Sequence, residues 1–183
     1  MRAGLEDARR LTASALRRLR SSLQSLRTAA DIADEDLPDM LRRLRGRRPA
    51  HQLEVSVEVT GSPVPLAAAV RQSLFQVASE CVFNAVVHGG ACRAVVRLSY
   101  GSRAVTLGVA DDGRGKLKAL RKIIRGEVPG TGGGYHTGLA DIAARAQEMG
   151  WALRADRSDL GGIVIQILVP VPATACMQGE AHG

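Results

Sequence analysis

SECVFNAVVHGGACRAVVRLSYGSRAVTLGVADDGRG, residues 79–115, runs from the end of a helix through two strands into a polar turn, and its reading decides the fold. The helix begins upstream: across residues 64–89, Leu66, Val70, Leu74, Val77, Cys81 and Ala85 recur at helical spacing, and Gly89-Gly90 ends the run. CRAVVRLSY and AVTLGVA then read as two strands, with Gly101-Ser102 between them suiting a hairpin. The second strand ends directly on Asp111-Asp112-Gly113-Arg114-Gly115.

Working outward, LEVSVEVTG places Leu53, Val55, Val57 and Val59 at alternate positions, the period of a half-buried strand closed by a Gly-Ser-Pro turn. Downstream, residues 116–137 are basic and glycine-rich, too irregular for a core element. Leu139 to Met149 predicts a helix stopped by Gly150, and WALRADRS with GGIVIQILVPV predicts two closing strands. Strand, helix, hairpin, loop, helix and hairpin describe an α+β protein, a two-layer sandwich with a mixed sheet and helices on one face. The expected division is a helical segment over 1–48, the sandwich over 50–172 and a tail over 173–183.

The first segment has its own pattern. Leu5, Thr12, Leu16, Leu19, Leu23 and Leu26 alternate three- and four-residue steps, broken only by Arg9, the seam of a coiled coil or bundle helix. Such a stripe needs something to cover it, so homodimerisation through this helix is expected, with packing on the chain's own domain as the alternative. A second, short helix follows Asp36, with Leu37, Met40, Leu41 and Leu44 on one side and a stop at Gly46, and reads as a connector.

Composition narrows the class. Apolar residues make up 45% of 183 but aromatics only 3%, so the core is built from aliphatic side chains. The formal charge of +7 is concentrated at the start: residues 1–48 carry twelve Arg against seven Asp or Glu. That segment has no Phe, Tyr or Trp to interleave with the charge, which argues against a nucleic-acid partner. Cys81, Cys92 and Cys176 are odd in number and form no CxxC pair, which points to a reducing, cytoplasmic setting. No run approaches the ~18 apolar residues of a membrane span.

Three clusters carry chemistry. Glu80, Asn84 and His88 are spaced by four, so they share one helix face, opposite the apolar Val77, Cys81 and Ala85. They line a cleft or form a solvated face. Asp111 ends a strand, and Gly113 and Gly115 let a flat ligand approach the backbone; by itself the motif could equally be a tight turn. Gly130 to Leu139, with Gly132, Gly134, Thr137 and Gly138, leads into a helix, where free N–H groups and the helix dipole attract phosphate; a flexible linker is the bland reading. Neither the Walker A nor the dinucleotide fingerprint fits, because Arg114 and Thr137 stand at positions those motifs reserve for Lys and Gly.

In this order the three clusters resemble the N, G1 and G2 boxes of the GHKL ATPase superfamily, which includes histidine kinases, gyrase, Hsp90 and MutL. The E-x-x-x-N-x-x-x-H helix, D-D-G-x-G turn and short G-x-x-G-L box are most similar to sensor kinases related to nitrate and redox sensors. The resemblance covers Leu53 to Pro172, and LRRLRSSLQSLR resembles the second helix of that subfamily's dimerisation and phosphotransfer bundle.

The resemblance implies ATP and Mg²⁺ as cofactors. Asn84 would ligate the metal with Glu80 beside its water shell, and His88 would lie near the phosphates. Asp111 would accept the adenine amino group above Gly113 and Gly115. Gly132, Gly134, Thr137, Gly138 and Leu139 would belong to the lid and phosphate box. It also implies transfer of the γ-phosphoryl to a histidine, with a response regulator downstream.

This chain departs from the pattern in two places. Val87 stands where a basic residue often precedes the histidine, and no His occurs before His51. The expected acceptor is therefore a histidine-bearing helix supplied by a missing upstream segment or a separate protein. A partner-switching or anti-sigma protein of the same superfamily is the alternative.

Overall fold

The computed structural model describes residues 35–46, 53–127 and 137–172. The leucine-seamed helix at 5–27, Gly132 and Gly134, the tail, and His51, His136 and His182 lie outside these residues.

Five strands form one sheet: β1 (Glu54–Thr60), β2 (Arg93–Tyr100), β3 (Ala104–Asp111), β4 (Ala152–Arg157) and β5 (Ile163–Pro170). Their order is β1-β2-β3-β5-β4. β1 runs parallel to β2, while β2–β3, β3–β5 and β5–β4 are antiparallel, so the sheet is mixed. The parallel pair requires a crossover, and helix α2 (Ala68–Val87) supplies it. Alternation sorts the faces: Ala94, Val96, Leu98, Val105, Leu107, Val109, Ile165 and Ile167 are buried on the helix side. The opposite side carries Glu58, Arg97, Thr106 and Gln166. This is the two-layer α+β sandwich expected from the sequence.

Two expectations change. The connector is part of the core: α1 (Leu37–Arg42) and the 3-10 turn after it bring Leu37, Met40, Leu41 and Leu44 to 0–3% exposure, packed with α2 and β1. Its apolar stripe was legible, but a stripe does not name what covers it. Leu41→Ala should therefore lower unfolding stability by ~2–5 kcal/mol, the usual result of emptying a buried leucine site. Denaturant titration checks this, and a change within ±0.5 kcal/mol would return the helix to a peripheral role.

The second change concerns the loop expected over 116–137. Helix α3 (Leu117–Ile124) occupies its first third, with Ile123 buried and Leu117, Leu120 and Ile124 packed on the core. Lys118, Lys122 and Arg125 are on its exposed side. The three- and four-residue spacing of those apolar positions was present in KLKALRKII but was hidden by the glycines that begin at Gly126. Helix α4 (Thr137–Glu148) follows, and α3 packs against both α4 and β4.

Candidate functional site

Helix α2 carries Glu80, Asn84 and His88 near its end, all half-buried, above the buried Val77, Cys81 and Ala85. The Asn84 Nδ2 group donates to Glu80 Oε1 at 3.3 Å. That orientation turns the Asn84 amide oxygen away from the carboxylate, free to act as a ligand. His88 caps the helix, its backbone N–H donating to the Asn84 carbonyl at 2.9 Å.

The Asp111 turn is locked to that helix end. Arg114 N–H donates to the Gly89 carbonyl at 2.8 Å, and a Cβ on Gly113 would lie 2.9 Å from the same oxygen. The two adjacent carboxylates have different duties. Asp112 Oδ1 accepts from the backbone N–H of Cys92 at 2.8 Å and of Arg93 at 2.9 Å, tying the turn to β2. Asp111 Oδ1 accepts from Gly113 N–H at 2.8 Å and Ile163 N–H at 3.3 Å, which fixes the carboxylate plane. Burial pushes the Asp111 pKa above the ordinary carboxylate value; the two N–H bonds oppose that shift and the Asp112 charge adds to it.

The third cluster reaches the first through Gly138. A Cβ there would lie 1.9 Å from Glu80 Oε1, so the first turn of α4 sits directly against the carboxylate, and a larger residue would have to displace the Glu80 side chain. Leu139 points into the core at 3% exposure, so any part it takes in binding is played by its backbone. Beneath these groups Cys81 is buried; burial, then the charges of Glu80 and Asp111, push its thiol pKa well up and keep it neutral.

The sequence reading missed two residues. Gly162 N–H donates to the Asp111 carbonyl at 3.1 Å, and a Cβ on Gly162 would lie 2.3 Å from Asp111 Oδ1, 2.5 Å from Asp111 O and 2.6 Å from Gly113 N. Ile163 supplies the second N–H to Asp111, and its Cδ1 would lie 2.5 Å from a Cβ on Gly115. The GG before IVIQILVPV was legible only as a strand entrance. Two basic residues of the 116–137 segment are held by protein groups. Arg121 donates to the Ala155 carbonyl at 3.0 Å and pairs with Asp156 at 3.0 Å, while Arg125 pairs with Glu127 at 2.6 Å.

Three chemistries thus meet at one end of the sheet: a hard oxygen pair suited to Mg²⁺, a fixed carboxylate beside glycine backbone, and a helix N-terminus reached through a glycine box. Residues 69–173, more than half of the chain, match the family described as histidine kinase-, DNA gyrase B- and HSP90-like ATPases. The sensor-type histidine kinase PrrB of Mycobacterium tuberculosis (strain ATCC 25618 / H37Rv) is 30% identical over 169 residues, covering 88% of this chain and 37% of its own length. The chain therefore spans little more than a third of that relative. Among solved structures, the ATP-binding domain of PrrB from Mycobacterium tuberculosis is 23% identical with a TM-score of 0.53, over 74% of this chain and 91% of that one. The mycobacterial sensor histidine kinase MprB is 25% identical with a TM-score of 0.52, over 73% and 91%.

Proposed function

This chain belongs to the histidine kinase-, DNA gyrase B- and HSP90-like ATPase family, and from that premise we propose that it is the ATP-binding catalytic domain of a sensor histidine kinase, transferring the γ-phosphoryl of ATP to a histidine outside its own helical segment. The observation that carries this is the meeting of the Glu80–Asn84 pair, the fixed Asp111 carboxylate and the Gly138 turn at one end of the sheet. The kinase relatives extend over most of the chain, and nothing among them supports a partner-switching role.

In this reading Asp111 accepts the adenine amino group, with the base against Gly113 and Gly115. Asn84, through its amide oxygen, with Glu80 beside it, would hold Mg²⁺, an ion that takes few protein ligands and keeps its waters. When bound, the metal neutralises phosphate charge. His88 would lie near the phosphates, and the Gly132 to Gly138 box would supply the N–H groups that bind them. An imidazole nitrogen of the acceptor attacks the γ-phosphorus in line, and the bond to the bridging oxygen breaks to leave ADP, a reaction governed by positioning and electrostatics.

The E-x-x-x-N-x-x-x-H helix and short glycine box favour kinases related to nitrate and redox sensors. The N-terminal helix dimerises or docks on the phosphoacceptor bundle, and a response regulator receives the phosphoryl group. The setting is cytoplasmic, in keeping with the cysteine pattern; among the described residues no helix is long and apolar enough to cross a membrane.

Labelled ATP tests the proposal. The chain alone should yield no acid-labile phosphate, and a histidine-bearing bundle helix from a kinase of this family, added in trans, should become labelled. Asn84→Ala should abolish that Mg²⁺-dependent labelling while circular dichroism stays native, since Asn84 is only half-buried and its amide bonds to Glu80 on the polar face of the helix. Unchanged magnesium dependence in the variant would remove Asn84 from the metal site. Acid-labile phosphate on the chain by itself would overturn the acceptor assignment.

A further inference from the structure

The Asp111 carboxylate is held from the far side of the sheet. The corner between β4 and β5, residues 158–162, touches Asp111 through Gly162 at one end; at the other, Asp159 reaches Arg97 in the middle of β2. Arg97 Nη1 donates to Asp159 Oδ1 at 3.1 Å and Nη2 to Asp159 Oδ2 at 2.7 Å, a two-pronged contact, while Nε donates to Glu58 Oε2 at 3.0 Å. Arg97 pairs in register with Gly108, three residues before Asp111, so Asp159 lies well back along the sheet from the strand end. The corner therefore folds over the helix-free face. Ala110, which alternation places on that face, is only 1% exposed, as a covering corner requires.

Inside the corner, Ser158 N–H donates to the Gly162 carbonyl at 3.1 Å, Gly161 N–H to the Ser158 carbonyl at 3.1 Å and Leu160 N–H to Ser158 Oγ at 3.0 Å. These bonds make it one stiff unit, so a restraint at Asp159 is felt at Gly162. The link matters because any rise of the corner lengthens the Gly162 N–H bond to the Asp111 carbonyl and the Ile163 N–H bond to its carboxylate.

We propose that the Arg97–Asp159 ion pair is a positioning device for Asp111, setting base selectivity from the face of the sheet opposite the nucleotide. This rests on the reading of Asp111 as the adenine acceptor. Arg97 and Asp159 touch no ligand in it; they act through the corner. A guanidinium suits the task, because its planar fork fixes the carboxylate in direction as well as distance.

The test compares ADP and GDP binding to the full chain by calorimetry. Asp159→Asn is isosteric and exposed, so folding is preserved, and Arg97→Gln removes the fork. Each should weaken ADP about two- to fivefold, the range of an exposed ion pair, while GDP, which lacks the amino group that Asp111 reads, changes little. The ADP-to-GDP preference then falls. The double variant should be no worse than the poorer single variant, because either change alone already breaks the Arg97–Asp159 pair, and Asp159→Glu should recover part of the preference. General loosening of the fold would weaken both nucleotides alike. If Asp111→Asn collapses the preference while Asp159→Asn and Arg97→Gln leave it intact, the positioning role is wrong and the nucleotide assignment stands. If Asp111→Asn also leaves it intact, the adenine reading fails and this proposal falls with it.

Discussion

Asp111→Asn should weaken ADP binding by about 10- to 150-fold, the equivalent of losing a ~1.5–3 kcal/mol hydrogen bond to a charged group, yet leave the nucleotide-free protein as stable as the parent or more so. The Asn oxygen can still accept from Gly113 and Ile163 N–H, so the turn keeps its shape. Its amide N–H₂ then meets the adenine amino group donor to donor. The stability sign follows from the raised pKa: the folded state favours the protonated carboxyl, so the stability Asp111 contributes is full below the unfolded carboxylate value and is lost as pH rises through the higher folded value. At pH 7 the buried charge opposes folding, and the neutral amide removes that cost. Melting curves of the two proteins should thus differ in favour of Asp111→Asn at pH 7 and converge towards pH ~4. A structural carboxylate would give the opposite pattern, with stability lost and affinity following it. Equal ADP affinity in parent and variant would end the adenine assignment.

Gly162→Ala should cost ~1–3 kcal/mol or more in stability, the range for overpacking, and should remove measurable nucleotide binding along with it. The added methyl would lie 2.3 Å from Asp111 Oδ1, 2.5 Å from Asp111 O and 2.6 Å from Gly113 N. Two of these are backbone atoms in a turn already bonded to Gly89, so they have nowhere to go. Its neighbour is the control. Gly161 has φ +98 and nothing within 4 Å of where a methyl would stand, so Gly161→Ala meets conformational strain alone and keeps the site. Chemical denaturation with parallel ADP titration separates the two. If Gly162→Ala bound ADP like the parent, the corner would have no hold on the carboxylate.

The contrast between these adjacent glycines marks how far local sequence reaches. Strand periodicity in LEVSVEVTG, CRAVVRLSY and AVTLGVA, and helical spacing from Val70 to Ala85, determined the elements and the sandwich, because residues two, three or four apart report which face is buried. The same logic placed Glu80, Asn84 and His88 on one face and Asp111 at a strand end. It gave α1 without the partner that covers it, and it missed α3, whose apolar spacing runs into the glycines that begin at Gly126. What the tertiary structure alone decided is pairing across distance: that Gly138 meets Glu80, that Arg114 bonds Gly89, and that a corner fifty residues downstream of Asp111 closes over it. Periodicity encodes the direction a side chain faces, whereas the identity of the group it meets depends on strand order and register, which no local window of sequence contains.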